Sequence, residues 1–230
     1  MQNRVQFSDL GHQPYQKVWD FQEAKLQSVV SQKITKRTQP EIVPNSFLFF
    51  VEHPPVYTLG KSGLAEHLLA SSEKLEQEGV QFFKTNRGGD ITFHGPGQIV
   101  GYPILDLDQF YTDIHRYLRE IEEIVIQTIG EFGIPNGDRK EGLTGVWVGE
   151  EKICAIGVRA SRWVTMHGFA LNVNTDLEYF KWIVPCGITN KAVTSMQKIL
   201  GHEVDLEAVK RALRTNFERI FKAKLVPYES

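Results

Sequence analysis

Apolar positions recur at helical spacing between Tyr15 and Ile34, through Val18, Phe21, Leu26, Val29 and Val30. They predict a helix that ends in the polar stretch before Gln39-Pro40, and residues 4–10 ahead of it read as a short strand. The run Ser46 to Glu52 holds Phe47-Leu48-Phe49-Phe50-Val51, which is apolar without alternation and predicts a buried strand. His53-Pro54-Pro55 stops it, because proline lacks the donor that a ladder needs. Residues 64–79 are mixed with a short helix, and Val80 to Lys84 alternates like a strand. Ile99 to Leu105 is another strand, and 110–132 is a helix carried by Phe110, Ile114, Tyr117, Leu118, Ile121, Val125, Ile129 and Phe132. Pro135 to Gly142 reads as a loop. Val146-Trp147-Val148 and Lys152 to Val158 form a hairpin about Gly149-Glu150-Glu151, and Met166 to Val173 is a further strand. A short helix at 193–200 precedes a final helix with Asp205 as N-cap and Leu206, Val209, Leu213, Phe217, Ile220 and Phe221 as its apolar face. The pattern predicts an α+β fold: one domain over 1–230, with a mixed, largely antiparallel sheet, flanking helices and one sheet face covered by them.

Composition narrows the function classes. The net charge of -2 gives no general pull toward nucleic acid or an anionic membrane. Two cysteines are too few for a disulfide scaffold and fit a reduced compartment. The N-terminus has no apolar signal core, and no apolar run approaches spanning length. A cytoplasmic enzyme or binding protein is the expectation.

Reactive groups concentrate in four islands. Arg87-Gly88-Gly89-Asp90-Ile91-Thr92-Phe93-His94-Gly95-Pro96-Gly97-Gln98 carries four glycines, which leave backbone N–H groups open to a ligand. It lacks the Gly-Lys-Ser/Thr end of a phosphate-binding P-loop and does not match the dinucleotide fingerprint; a plain hairpin loop is the bland reading. Lys152 shares strand parity with Cys154, Ile156 and Val158, which directs it toward an apolar face; a solvated hairpin end is the alternative. Met166-His167-Gly168-Phe169-Ala170-Leu171-Asn172 sets a second histidine beside glycine. Ile183-Val184-Pro185-Cys186-Gly187-Ile188 holds a thiol in a proline–glycine corner, either a small buried residue or a fixed nucleophile. Cys154, inside an apolar strand, is expected in the core. No His/Cys pair has metal-ligand spacing, so neither a metal nor another cofactor is expected.

Together with Glu52-His53-Pro54-Pro55-Val56-Tyr57-Thr58-Leu59-Gly60, Lys152-Ile153-Cys154-Ala155-Ile156-Gly157 and Pro185-Cys186-Gly187, these islands resemble the lipoyl(octanoyl) transferase family, in the family's order from residue 52 to about 196. The resemblance implies the fold of the lipoate and biotin protein ligases. It assigns the acyl-thioester nucleophile to Cys186 and the supporting lysine to Lys152. It assigns substrate binding to Arg87, Gly88, Gly89, Asp90, Ile91, Thr92, Phe93 and His94, to Ala155, Ile156 and Gly157, and to Gly168, Phe169 and Ala170. It implies octanoyl-acyl carrier protein as donor. The acceptor would be a lysine on lipoyl domains of 2-oxo acid dehydrogenases or on the glycine cleavage H protein.

The residues fit two-step acyl transfer through a Cys186 thioester, with Lys152 as thiolate partner and then as base. Backbone N–H groups near Gly168 or in the Arg87 loop are the expected oxyanion donors. Two rivals are an ATP-dependent lipoate- or biotin-type ligase, which needs no cysteine nucleophile, and a non-catalytic binder of acyl groups or lipoyl domains.

Overall fold

The computed structural model describes residues 3–184 and 192–229. The chain begins with β1 (Asn3–His12) and α1 (Tyr15–Thr35), then β2 (Phe47–Glu52). Residues Phe47 to Val51 are each at most 4% exposed, although they alternate between two faces. Phe47, Phe49 and Val51 pack with Val18, Leu26, Val29 and Val30 of α1. Leu48 and Phe50 belong to a second cluster, with Tyr117, Ile121 and Val125 of α3 (Ile114–Glu131) and Leu213 and Phe217 of α5 (Leu206–Phe221). Helices therefore cover both faces of the sheet, not one as expected. The reason is in β2: a strand apolar on both sides needs cover on both.

That sheet continues with β6 (Gln98–Ile104), β7 (Gly137–Lys140), β8 (Leu143–Val148), β9 (Glu151–Ser161), β10 (Val164–Asn172) and β11 (Ala223–Pro227). Its eight strands lie in the order β11-β1-β2-β6-β10-β9-β8-β7. Only β1 with β11 and β1 with β2 run parallel; the other neighbours are antiparallel, as expected of a largely antiparallel mixed sheet. The hairpin predicted around Gly149 is present, and the strand predicted from Met166 to Val173 is β10, which pairs antiparallel with β9 in a second hairpin. β7 lies inside the predicted loop Pro135 to Gly142, and β11 was not legible at all; both are short and owe their state to a neighbouring strand. The α3 helix starts at Ile114 rather than at 110, since Asp113 accepts from the Arg116 N–H at 3.0 Å and caps it there.

After Pro54-Pro55 the chain leaves the main sheet. The strands β3 (Val56–Leu59), β4 (Gln81–Lys84) and β5 (Ile91–His94) form a second sheet in the order β4-β3-β5. Helix α2 (Ser72–Gln77) and the 3-10 turn Leu177–Trp182 close its core through Leu75, Phe180 and Ile183. The remaining helix, α4 (Met196–Leu200), precedes α5, and Asp205 caps α5 by accepting from the Glu207 N–H at 2.9 Å. Among the described residues no helix is long and apolar enough to cross a membrane.

Candidate active site

A cavity of about 690 Å³ opens where the loops of the small sheet face β9 and β10. Arg87, Gly88, Gly89, Asp90, Ile91, Thr92, His94, Ala155, Ile156, Gly157, Gly168, Phe169, Ala170 and Lys152 all line it. Segments far apart in sequence thus meet in one place. Phe93 does not join them. It is 1% exposed and stacks on Tyr179 at 4.6 Å, because alternation along β5 turns it into the small sheet's core.

The glycine-rich loop is held by backbone contacts. Gly88 donates its N–H to Val158 O at 2.8 Å, so that group is not open for a substrate oxygen. Ser62 donates to Gly89 O at 3.2 Å, and a Cβ on Gly60 would stand 2.2 Å from the same oxygen. A Cβ on Gly157 would stand 2.8 Å from Gly88 O. Only glycine permits such approach. The Val158 carbonyl points off the edge of β9, so by antiparallel alternation the Ile156 N–H and C=O point the same way. The pairing of β9 with the neighbouring strand β8 reaches only to Cys154. Ile156 thus offers main-chain groups to the cavity between β8 and the Arg87 loop.

Beneath the loop runs a directed chain of hydrogen bonds. The Arg87 guanidinium donates to Thr58 O at 2.6 Å and to Thr58 Oγ1 at 2.9 Å. Thr58 Oγ1 lies 3.3 Å from His94 Nε2. Gln98 gives its amide N–H to Phe93 O and, at 2.9 Å, to Asn172 Oδ1. Its Oε1 is left to accept, so His94 Nδ1 is the donor at 2.8 Å and Nε2 takes the threonine proton. Asn172 then donates to Thr194 O at 3.0 Å, and the Thr194 N–H donates to Lys152 O at 3.0 Å. The chain joins the loop to the strand of Lys152.

The histidines around it are neutral. Burial holds the His94 pKa down to about 3, helped by His53 and the Arg87 charge. Burial likewise lowers His53 to about 4; its Nδ1 donates to Gln13 O at 2.7 Å and its Nε2 accepts from the Tyr102 hydroxyl at 2.8 Å. His167 is lowered to about 3 by burial and then by Arg87 and Arg159. It donates through Nε2 to Asn86 Oδ1 at 2.7 Å and takes a left-handed φ of 57°. That backbone is strained for a non-glycine residue and is held by the Gln22 Oε1 that accepts its N–H at 3.0 Å.

Lys152 lines the cavity by way of a β-bulge. Trp147 pairs with Lys152 and Val146 with Cys154, which leaves Ile153 as the extra residue. Ile153 and Cys154 both enter the core, so Lys152 does not share the side of Cys154 as simple parity had it. Its Nζ lies 4.8 Å from the centre of the Trp147 ring. Cys154 is fully buried as expected, and burial pushes its thiol well above the ordinary range. Cys186 lies outside the described residues. The described residues on either side of it are anchored at this site: the Val184 N–H donates to His67 O at 2.8 Å, and the Lys152 N–H to Ala192 O at 3.0 Å.

Sequence reasoning missed Asn86, Tyr102 and His67 as parts of this region, and held Thr58 only as a member of the motif at residues 52–60, with no role. Tyr102 lies inside an apolar strand and gives no signal of its own. His67 sits in a mixed stretch without periodicity, so only its position in space marks it.

The model of the Lipoyl protein ligase A/B catalytic domain family matches residues 14–218. Octanoyltransferases of Flavobacterium johnsoniae and Flavobacterium psychrophilum are 54% and 55% identical, each over 98% of this chain and 100% of the relative. A solved structure of lipoate-protein ligase A bound with ATP is similar in fold, with a TM-score of 0.72 and 15% identity over 99% of this chain and 89% of that one. The match spans most of the chain and includes every strand and helix that lines the cavity, so the chain belongs to the lipoyl protein ligase A/B catalytic domain family.

Proposed function

We propose that this chain is an octanoyltransferase, residues 1–230 acting as one catalytic domain in the cytoplasm. It takes an octanoyl group from octanoyl-acyl carrier protein and passes it to a lysine of a lipoyl domain or of the glycine cleavage H protein. Cys186 carries the acyl group and Lys152 is its partner. The observation that carries the reading is the anchoring of the chain on both sides of Cys186. Val184 is held by His67 and Ala192 by Lys152 itself, both on the cavity wall. Relatives more than half identical along nearly the whole chain bear the name octanoyltransferase.

The steps balance. A Cys186 thiolate beside the Lys152 ammonium attacks the donor thioester. The carrier thiolate leaves and takes a proton from Lys152, which becomes a neutral amine. The acceptor amine then attacks the acyl-enzyme, Lys152 takes one proton from its nitrogen, and Cys186 leaves as thiolate. Arg87 to His94, Ala155 to Gly157 and Gly168 to Ala170 border the bound donor, Phe93 from behind. The oxyanion donors are sought at the open Ile156 edge and at Gly89 rather than at Gly88, whose N–H Val158 already holds. Ile156, Val158 and Phe169 supply apolar wall for the tail, each buried methylene being worth about 0.8 kcal/mol.

The test uses the purified protein with octanoyl-acyl carrier protein, without nucleotide or divalent ions. Intact mass should rise by one octanoyl group, mapped to the peptide holding Cys186, and a lipoyl domain should then discharge it. In Lys152→Met both half-reactions should slow, by about 100-fold or more where proton transfer is lost. Product that forms only with ATP, or a parent rate in the variant, would sink the reading in favour of a ligase or of another thiol partner.

A further inference from the structure

The acceptor step releases more protons than Lys152 takes, and the argument from this point rests on the octanoyl-transfer reading. A free lysine arrives near neutral pH as an ammonium, its ordinary pKa being about 10.4. Conversion to an amide nitrogen removes two protons. Neutral Lys152 accepts one and Cys186 leaves as thiolate, accepting none. The other proton needs a base on the cavity wall with a way out to water.

Among the described residues, the titratable groups lining the cavity besides Lys152 are few. Both ring nitrogens of His94 are engaged, by Gln98 and Thr58. His167 is bound to Asn86 and only 2% exposed. Tyr15 and Tyr102 are phenols that burial keeps protonated. Arg87 does not give up its charge. His67 and Asp90 remain. His67 Nδ1 lies 2.6 Å from Asp90 Oδ2, off the line of a straight hydrogen bond. Asp90 is held in turn, its Oδ1 accepting from the Ile91 N–H at 2.7 Å. The two side chains are 17% and 11% exposed: packed enough to be fixed, open enough to reach solvent. His67 Nε2 makes no hydrogen bond to the described residues. The His67 carbonyl also accepts from the Val184 N–H, and His67 and Asp90 both line the cavity.

We infer that His67, oriented by Asp90, is the base that takes the first proton of the acceptor lysine's ammonium and hands it to water. The ammonium N–H breaks and its proton passes to Nε2. The imidazolium so formed faces the Asp90 carboxylate and then releases the proton to solvent. The free amine attacks the thioester carbonyl, and Lys152 takes the second proton as the thiolate leaves. Imidazole is the ordinary side chain that can both accept and release a proton near neutral pH.

The experiment isolates the octanoyl-enzyme, mixes it with a lipoyl domain at neutral pH and follows a single turnover. His67→Gln, which keeps a polar side chain and removes the base, should lower the transfer rate by about 100-fold or more. His67→Ala should show a similar loss, and free imidazole in the buffer should recover part of it. Asp90→Asn should lose about 10-fold, as an orienting group does when its charge is removed. Transfer at the parent rate in His67→Gln, or a loss in His67→Ala that imidazole leaves untouched, overturns the assignment and leaves the pair as a packing contact between two loops. Absence of an octanoyl-enzyme in the parent protein overturns the transfer reading and this inference with it, and is told apart by the mass measurement alone.

Discussion

The two cysteines show how environment sets the chemistry of one residue type. Cys154 sits in a bulged strand with no exposed surface, and desolvation disfavours its thiolate. Thiol alkylation requires the thiolate, so Cys154 should stay unmodified by iodoacetamide in the native protein and react once denaturant opens the core. Peptide mapping at timed intervals checks this, with Cys186→Ser to remove the other thiol. Rapid native labelling of Cys154 in that variant would contradict the burial. Cys186 stands in a Pro-Cys-Gly corner of the sequence, outside any apolar run of strand type.

At the scale of elements, β9 does most to build the site. It carries the bulge that turns Lys152 from the core, the open edge at Ile156 and the glycine against which the Arg87 loop rests. A methyl on Gly157 would meet the Gly88 carbonyl oxygen at 2.8 Å, and neither partner is a flexible side chain. Gly157→Ala should therefore displace the loop, with an overpacking cost of about 1–3 kcal/mol. Octanoyl-enzyme formation should slow by about 10-fold or more, with a lower melting temperature. Gly130→Ala is the control, in α3 with open space around the new methyl. It should be neutral or stabilising by about 0.5–1 kcal/mol, since alanine is the better helix former. Equal behaviour of the two variants would show that the loop does not depend on that contact.

For the whole molecule, three buried neutral histidines tie the packing of the two sheets to pH. Their folded pKa values are about 4 for His53, about 3 for His94 and about 3 for His167, against an ordinary value near 6.5. A depressed pKa means that between these limits the unfolded chain binds more protons than the folded one. Their contribution is then fully present above about pH 6.5 and is lost as pH falls toward 4 and below. Each should remove on the order of 1 kcal/mol between pH 6.5 and 5. Urea unfolding at a series of pH values should show stability falling across that window, and His53→Gln should flatten the slope. An unchanged slope in the variant would remove His53 from the account.

What the sequence determined by itself was local. Helical periodicity was enough for α1, α3 and α5, because each buries one stripe against whatever lies beneath it. The continuous apolar run of β2 announced a buried strand, and the motif residues announced a family through their kind and order. Tertiary structure alone decided the rest. Periodicity says that a face is covered but not by what, so the second sheet and the helix on each side of the first were not legible. Nor was the bulge at Ile153, since register depends on the partner strand. Gln98 and Asn172 are 74 positions apart, and His67 meets Asp90 only because two loops of the small sheet turn toward each other. A hydrogen bond or close contact between side chains leaves no period in the sequence, so neither pair is legible before the chain is folded.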